Sequence, residues 1–387
     1  MATVRELIER GVTVFAPETV YLGPEVNPER ISGEGVVIHP GCRIRGERSV
    51  ISARCELGAE APLTIDNCAL GQDVKLKGGY ATDSVFLAGV EVGSGAQLRE
   101  ACLLEEQSAA AHNVGLKQTI LFPYATIGSL VNFCDCLLAG GTSRSNHAEV
   151  GSGYIHFNFT PAGHKATASL FGDVVRGVWL REQPVFLGGG GGAVGPVRVG
   201  YGAVVGAGSI LKDDVPDDTQ VVVPGVASTH PVKRFAYPRL ARVVAHNVEY
   251  IAQLLALKCW YQEVRAPLYT PVEYGNELLE AALRVIDAAI GERTKRFAAF
   301  TESVRSEDAD ARRLRERGGD VAGYLAAYHP RLDPELARRI TVGEQPYLAT
   351  LSALDDETVI TGQQALAAIV AEVTASAQEM LHALPGE

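Results

Sequence analysis

The feature that most constrains this chain is a repeat of aliphatic residues at intervals of six. The longest run with this spacing has five members: Leu187, Ala193, Val199, Val205 and Leu211. Three other runs precede it: Phe86, Val92, Leu98 and Leu104; Leu121, Ile127 and Phe133; and Ile38, Ile44 and Val50. A period of six fits neither an α-helix, with about 3.6 residues per turn, nor a plainly alternating strand. It predicts a solenoid of short strands and tight turns.

The residues within each hexad indicate the kind of solenoid. The aliphatic residue at the first position points into a narrow core, and a small residue at the fifth position, such as Ala203 or Ser209, packs beside it. A Gly or Asp that follows can adopt the positive φ of a corner. This pattern predicts a mainly β fold, a left-handed parallel β-helix in which three hexads form one triangular coil. Roughly ten or eleven coils would fit between about residue 20 and residue 227.

The hexad phase is lost between about residues 140 and 186. In a solenoid, such a break predicts a loop inserted at one corner. Loops on a regular scaffold often carry functional residues. We therefore expect the chemistry of this protein in that segment.

Glycine content divides the chain into two parts. Residues 1–231 hold 33 of the 41 glycines and residues 232–387 hold 8, which predicts a domain boundary near the His230–Pro231 step. In the second part, apolar residues recur at intervals of three and four, as on one face of a helix. These residues are Val244, Val248, Ile251, Leu255 and Cys259; Leu279, Ala282, Ile286 and Ala289; and Leu366, Ile369, Val370, Val373 and Met380. The sequence therefore predicts a β-helix over 1–231 and an α-helical domain over 232–387, with no catalytic motif in the latter.

Charge and cysteine usage exclude several classes of protein. The formal net charge is −11, and no basic stripe is available to neutralise a nucleic-acid backbone, so we expect no nucleic-acid partner. The seven cysteines follow no pairing pattern, which indicates small core residues in a reduced compartment. Neither an export signal nor an apolar stretch long enough to span a membrane is evident. We expect a cytoplasmic protein.

Three stretches of the chain resemble one enzyme family. Residues Leu7–Tyr21 look like a linker helix and first strand, Ala148–Phe159 like a substrate loop, and Pro184–Val215 like closing coils. They resemble the acetyltransferase half of the bacterial bifunctional N-acetylglucosamine-1-phosphate uridyltransferase / glucosamine-1-phosphate N-acetyltransferase, within the hexapeptide-repeat acyltransferase superfamily. The resemblance covers about residues 1–227. No Rossmann-like domain or nucleotide-binding Gly-rich loop accompanies it, so nucleotidyltransferase activity is not predicted.

The resemblance implies acetyl transfer from acetyl-CoA to the amine of an amino-sugar phosphate, in a homotrimer with sites between neighbouring β-helices. It implies that Asn158 contacts substrate and cofactor, with Phe159 where a Tyr is usual. Lys165, or His164 beside it, matches a Lys that contacts the sugar phosphate.

The implied cofactor groove lies at Ala207 and in the glycine run that begins at Gly188. Ala207 matches a position whose backbone receives the pantetheine arm of CoA, and Gly189 stands where a Ser contacts the acetyl group. Together with Gly190, these glycines either let a ligand approach closely or occupy cramped coil corners. No βαβ unit surrounds them, so a dinucleotide-binding loop is not predicted.

Two departures from the family leave the general base open. The family's catalytic His would fall at Gly141, and an Arg that meets the CoA phosphates falls at Pro224. An amine loses a proton as it attacks a thioester, so a neutral His or a carboxylate must lie within hydrogen-bond reach of it. His147, which follows Asn146, is the first candidate and His156 the second. The alternative is that both are ordinary loop or corner histidines.

The remaining candidates are residues that could bind the substrate and its phosphate, and histidines that could bind a metal. Asn146 and Arg144 are expected to bind substrate, although Arg144 can equally be a surface charge. The spacings from His147 to His156 and from His156 to His164 are nine and eight, unlike the close spacing in a hexapeptide-repeat carbonic anhydrase, so no metal is predicted.

The sequence as a whole favours an acyl-CoA-dependent N-acetyltransferase that acts on an amino-sugar phosphate or a nucleotide-linked amino sugar, with acetyl-CoA as co-substrate. The alternative is a non-catalytic β-helix that binds a sugar nucleotide or scaffolds a complex.

Overall fold

A computed structural model describes residues 3–159, 163–221, 239–306, 309–341 and 345–382 of the chain. Up to residue 221 these form a parallel β-helix, and from residue 239 they form helices that pack on one of its faces. The boundary predicted near His230–Pro231 lies outside the described residues, as does Pro224. Within the described ranges, no helix is both long enough and apolar enough to cross a membrane.

Each coil of the β-helix runs through short parallel strands that stack on those of the next coil, giving three faces that we name A, B and C in chain order. Strands and helices are numbered in chain order. Face A comprises β1 (Thr13–Val14), β3 (Val37–Ile38), β6 (Glu56–Leu57), β9 (Lys75–Leu76), β12 (Glu91–Val92), β15 (Ala109–Ala110), β17 (Thr126–Ile127), β21 (Glu149–Val150), β24 (Phe186–Leu187), β27 (Val204–Val205) and β29 (Gln220–Val221).

Faces B and C are joined because two long strands bend from one to the other. Face B comprises β2 (Tyr21–Leu22), β4 (Arg43–Arg45), β7 (Leu63–Asp66), β10 (Gly79–Thr82), β13 (Ala96–Leu98), the first halves of β16 (Gly115–Leu121) and β18 (Asn132–Leu138), β22 (Ile155–Phe157), β25 (Gly192–Val194) and β28 (Ile210–Leu211). Face C comprises β5 (Val50–Ile51), β8 (Ala69–Leu70), β11 (Val85–Phe86), β14 (Leu103–Leu104), the second halves of β16 and β18, β23 (Ser169–Phe171) and β26 (Arg198–Val199).

The core of the β-helix is the column of residues that the six-residue repeat singled out. Every member of the four runs is buried, and Leu211, at 5%, is the most exposed. Ala203 and Ser209 at the fifth position are buried as well. All seven cysteines are buried and free. The predicted parallel β-helix, with about eleven coils and a helical second part, is thus confirmed, and its left-handedness stays a prediction.

The out-of-phase segment is not a single loop from one corner. The coil continues through it as β21, β22 and β23, and residues are inserted at two different edges. At the edge between faces C and A, hereafter the third edge, lie an antiparallel hairpin of β19 (Gly141–Ser143) and β20 (Asn146–His147) and, one coil later, the short helix α2 (Val174–Gly177). At the edge between B and C, the second edge, lies a loop that follows β22.

The helical part contains the three helices that the apolar spacing predicts, here α3, α5 and α9. Its elements are α3 (Leu240–Trp260), a π-helical turn (Tyr261–Arg265), α4 (Ala266–Tyr269), α5 (Gly275–Ser303), α6 (Ala309–Ala327), α7 (Pro334–Ile340), α8 (Tyr347–Ala353) and α9 (Asp356–His382), while α1 (Val4–Glu9) precedes the first coil. These helices cover face C: α5 contacts β8, β11 and β14, and α3 contacts β23. Trp179, which follows α2, packs edge-on against Trp260 at 4.8 Å between ring centroids.

Helix α5 runs along the β-helix from its first coils to the second-edge loop. It has 29 residues, a length of about 43 Å at 1.5 Å per residue. The Tyr274 hydroxyl at its start donates to the Glu29 carbonyl oxygen over 2.9 Å. The Phe300 ring near its end lies 4.9 Å from the His164 ring.

A buried ionic cluster fixes the helices to the third edge. The Arg265 guanidinium, which is fully buried, donates to both carboxylate oxygens of Glu106 over 2.7 and 2.9 Å. The Tyr261 hydroxyl donates to Glu105 over 2.5 Å. Burial raises the pKa of Glu105 to about 7, while Arg265 opposes the rise. The single Arg265 guanidinium therefore contacts two buried carboxylates where the helices meet the β-helix.

Candidate functional site

The first candidate base, His147, lies on the hairpin at the third edge. Its ring is half-buried, and Nδ1 lies 3.2 Å from the Ala148 carbonyl oxygen, so Nδ1 carries the proton in that contact. The Asn146 amide donates to the Thr142 hydroxyl over 3.1 Å, which closes the hairpin on itself. In the described part of the chain, the other ring nitrogen, Nε2, has no hydrogen-bond partner.

Arg144, at the tip of the same hairpin, holds it against the preceding coils. Its guanidinium donates to the carbonyl oxygens of Gln107 and Tyr124 over 2.8 and 2.9 Å and to the Thr126 hydroxyl over 3.1 Å. Gln107 and Tyr124 are corner residues with positive φ, which turns their carbonyl groups outward. Three of its five N–H donors are thus used within the chain to anchor the hairpin, and a contact with a substrate phosphate stays a prediction.

The second candidate base, His156, is a core residue of the β-helix. It is 2% exposed, and its Nδ1–H donates to the Cys134 carbonyl oxygen over 2.7 Å. Nε2 therefore accepts, and its donor is the Ser169 hydroxyl at 2.7 Å, which in turn accepts from the Val197 N–H over 3.0 Å. Burial lowers the pKa of His156 to about 4. Both nitrogens are occupied within the chain, so we do not retain His156 as a base.

Asn158 and Phe159 begin the second-edge loop, where face B ends. The Asn158 amide is half-buried, and its Nδ2 donates to the Asp135 carboxylate over 2.7 Å. Phe159 is 62% exposed. Further along the loop, His164 is half-buried with a pKa lowered by burial, and Lys165 is exposed. Of the four expected substrate residues in this loop, three have side chains that solvent reaches, whereas His164 packs against Phe300 of α5.

The glycines of the implied cofactor groove lie at the edge between faces A and B, the first edge. A side chain on Gly188 would collide with the backbone of Ala207 in the next coil, so this glycine is required by coil stacking. A side chain would fit in the open space around Gly190. This residue is a glycine because its φ of +64° is a corner conformation that other residues rarely adopt. Both observations favour the reading of these glycines as coil corners. In the described part of the chain, the backbone N–H groups of Gly189 and Ala207 have no hydrogen-bond acceptor.

The predicted site residues therefore lie at three different edges of one chain. Asn158 borders face B at the second edge, Gly188–Gly190 and Ala207 border it at the first, and His147 lies at the third. Only the first two groups share a face. Strands β22 and β25 of that face pair as Ile155↔Gly192 and Phe157↔Val194, so a width of three residues, about 10 Å, separates its borders.

Face B carries apolar and cationic groups near Asn158. Ile155 and Phe157 are each 40% exposed, and Arg99 and Lys117 lie close enough to Cys134 to influence its thiol. Burial nevertheless raises the pKa of Cys134 to about 11, so the thiol is protonated and is no nucleophile. Among the described residues, no group of three or more His, Cys, Asp or Glu side chains could hold a metal ion.

Two residues beside Asn158 were not singled out from the sequence. Asp135, between Cys134 and Cys136, is a corner residue with a φ of +60° whose carboxylate accepts from Arg293 of α5 over 2.8 Å. Arg293 is 4% exposed. A signal for Arg293 was available: it continues the spacing of the apolar face of α5, where an arginine needs a buried partner.

Comparisons with known proteins bear on the β-helix. No family model matches the chain. The chain is 31% identical over 216 residues to the bifunctional protein GlmU of Thermotoga petrophila, a match that covers 56% of this chain and 43% of that protein. It is 29% identical over 215 residues to the bifunctional protein GlmU of Fervidobacterium nodosum, covering 56% and 42%. The matched part is thus less than half the length of these relatives.

Solved structures give weaker likenesses. One is LpxA from Acinetobacter baumannii, with 11% identity and a TM-score of 0.19 over 54% of this chain and 68% of that one. Another is a mutant perosamine N-acetyltransferase from Caulobacter crescentus in complex with CoA and GDP-perosamine, with 14% identity and a TM-score of 0.08 over 54% and 49%. These TM-scores are too low to support any inference. The two GlmU relatives confirm that the chain is similar, over 216 and 215 residues, to the acetyltransferase half of the bifunctional uridyltransferase / N-acetyltransferase family.

Proposed function

We propose that the chain is an acyl-CoA-dependent N-acetyltransferase that acts on an amino-sugar phosphate or a nucleotide-linked amino sugar. The observation that carries the proposal is the arrangement on face B. Asn158 borders this face on one side. The N–H groups of Gly189 and Ala207, which have no acceptor in the described part of the chain, border it on the other. The likeness to the bifunctional relatives supports the same reading.

These groups meet the chemical requirements of acetyl transfer. The amine nitrogen forms a bond to the acetyl carbonyl carbon, the C–S bond breaks, and CoA leaves as a thiolate that takes up the proton removed from the amine. Backbone N–H groups such as those of Gly189 and Ala207 can stabilise the oxyanion that forms on the carbonyl oxygen. Lys165 supplies a cation for the phosphate of the acceptor.

A single chain places neither candidate base at face B. His147 lies at the third edge, and the other candidate, His156, is buried inside the β-helix. We propose that His147 serves face B of a neighbouring copy in a homotrimer, so that each site takes residues from two chains. In this arrangement Arg144 holds the hairpin that carries the base.

The surface of the β-helix supports assembly. The helical part covers face C, whereas faces A and B expose apolar side chains. These side chains are each about two-fifths exposed: Ile155, Phe157, Phe186, Val204 and Ile210. Contiguous apolar patches of this kind mark protein–protein interfaces.

The test combines binding and turnover. Acetyl-CoA should raise the melting temperature of the wild-type protein, because a ligand of the native state stabilises it. The protein should then acetylate at least one member of a panel of amino-sugar phosphates and nucleotide-linked amino sugars, with product detected by mass spectrometry. His147→Ala should lose turnover by about a hundredfold or more while it keeps the acetyl-CoA shift. His39→Ala, which removes a half-buried face-A histidine paired with Glu56, is the matched control.

Two results would contradict the proposal. If millimolar acetyl-CoA does not raise the melting temperature, the proposal that the chain is an acyl-CoA-dependent enzyme is wrong. The alternative, a non-catalytic β-helix that binds a sugar nucleotide or scaffolds a complex, then stands, because the displaced base candidates favour it. If His147→Ala keeps wild-type turnover, the histidine is not the base.

A further inference from the structure

A single carboxylate connects helix α5 with the loop that follows β22. Asp135 Oδ1 accepts from Arg293 Nη2 over 2.8 Å, and Asp135 Oδ2 accepts from Asn158 Nδ2 over 2.7 Å. Asp135 and Arg293 are each 4% exposed, so this contact is shielded from water and from salt. Asn158 is therefore held from the helical part of the chain, although the two lie far apart in the sequence.

This contact determines which end of the Asn158 amide faces outward. An ionised carboxylate can only accept hydrogen bonds, so the NH₂ group of the amide must face Asp135. The carbonyl oxygen Oδ1 then faces away from it. In the described part of the chain, Oδ1 has no hydrogen-bond partner. The exposed end of the Asn158 side chain is thus a hydrogen-bond acceptor.

The hydrogen bonds of Arg293 are only partly satisfied. Among the described residues, its buried Nη1 has no acceptor, while Nη2 binds Asp135. A buried donor without a partner is unfavourable, and a buried ion pair can often be replaced by apolar side chains with no loss of stability. An apolar side chain at position 293 would fit the buried face of α5 but would leave the Asp135 carboxylate without its cation.

We propose that Arg293 is a positioning residue of the candidate acyl-transfer site: through Asp135 it fixes the Asn158 amide with its oxygen outward, so that the site selects a ligand group that donates an N–H. Two ligands of the proposed reaction carry such a group, namely the pantetheine amides of acetyl-CoA and the amine of the acceptor. The identity of the ligand rests on the proposed function. The orientation of the Asn158 amide does not depend on that function.

The functional test uses the full-length chain and three variants. Arg293→Met should raise KM by about tenfold for acetyl-CoA or for the acceptor, whichever contacts Asn158, because one oriented hydrogen bond is worth about that factor. Its kcat should change less than KM. Arg293→Lys, which keeps a cation beside Asp135, should recover most of the loss. Arg265→Met, which breaks the other buried arginine–carboxylate contact between the two parts, should lower the melting temperature and leave both KM values within about twofold.

A second readout needs no turnover. The side-chain amide of Asn158, assigned by ¹⁵N NMR with an Asn158→Ser reference, should have slowly exchanging protons in the wild type and faster ones in Arg293→Met. An unchanged Asn158 signal in Arg293→Met would overturn the inference whatever the activity. In an active enzyme, unchanged KM values in Arg293→Met would also overturn it. A wild type that neither binds acetyl-CoA nor transfers acetyl would refute the proposed function, and the NMR result would then decide the positioning inference alone.

Discussion

Acidification should destabilise this chain through His156, a core histidine that lies between two hydrogen-bond partners. In the folded state its pKa is about 4, against a usual value of 6.5, because burial disfavours the charged ring. That difference corresponds to roughly 3 kcal/mol, since each pKa unit is worth about 1.4 kcal/mol. Above pH 6.5 the ring is neutral in both states and this stability is fully present.

The stability is lost as the pH falls. Below pH 6.5 the unfolded chain takes up a proton on His156, whereas the folded chain does not until about pH 4. The free energy of unfolding should therefore fall by about 2 kcal/mol from this group by pH 5, and by about 3 kcal/mol once the pH passes through 4. Asp135 raises and Arg293 lowers the pKa of the ring, and both remain in any variant of His156.

The measurement compares wild type with His156→Gln, which keeps hydrogen-bonding capacity but does not titrate. Urea unfolding of each at pH 7.5, 6.5, 5.5 and 5.0 gives the difference in the free energy of unfolding. That difference should shrink by about 2 kcal/mol from pH 7.5 to pH 5.0. If the two proteins lose stability in parallel over this range, the reasoning about the buried neutral ring is wrong.

Three further predictions address the other contacts. Trp179→Ala should lower the free energy of unfolding by about 3–5 kcal/mol, because the buried ring packs against Trp260, and urea unfolding with Trp260 fluorescence measures it. Ile155→Glu should convert the expected trimer into monomers in light scattering without loss of the β-sheet circular dichroism signal, and a variant that stays trimeric would remove face B from the interface. Arg144→Ala should raise the hydrogen-exchange rate of the hairpin amides at least tenfold, while Arg5→Ala, which removes an exposed ion pair in α1, should not.

The β-helix could be predicted because its signal is local. An inward residue every sixth position, such as Val199 followed by Val205, identifies the coil without knowledge of any distant contact. The local nature of this signal also explains why residues 140–186 were wrongly predicted to form a single loop. Strands of two or three residues, such as β21, carry too few positions to restore the phase once insertions at two edges have shifted it.

The site was predicted less well because its geometry depends on contacts between distant residues. Asp135 and Arg293 lie 158 positions apart, so nothing near Asp135 in the sequence indicates its partner. For His156, the spacing alone could not show that the hexad places the ring inside the coil. The distribution of candidates over three edges follows from the number of residues in each coil, which only the structure gives.

Helix α5 has a consequence for how the β-helix unfolds. In a solenoid each coil contacts only its neighbours, so the ends can fray one coil at a time. Here α5 touches residue 29 near one end through Tyr274, residue 135 through Arg293 and residue 164 through Phe300. The first coil, which contains Glu29, can separate only if the contact with Tyr274 is also lost. The helix therefore links coils that do not touch one another, and we expect the coils from residue 29 to residue 164 to unfold together and not one at a time.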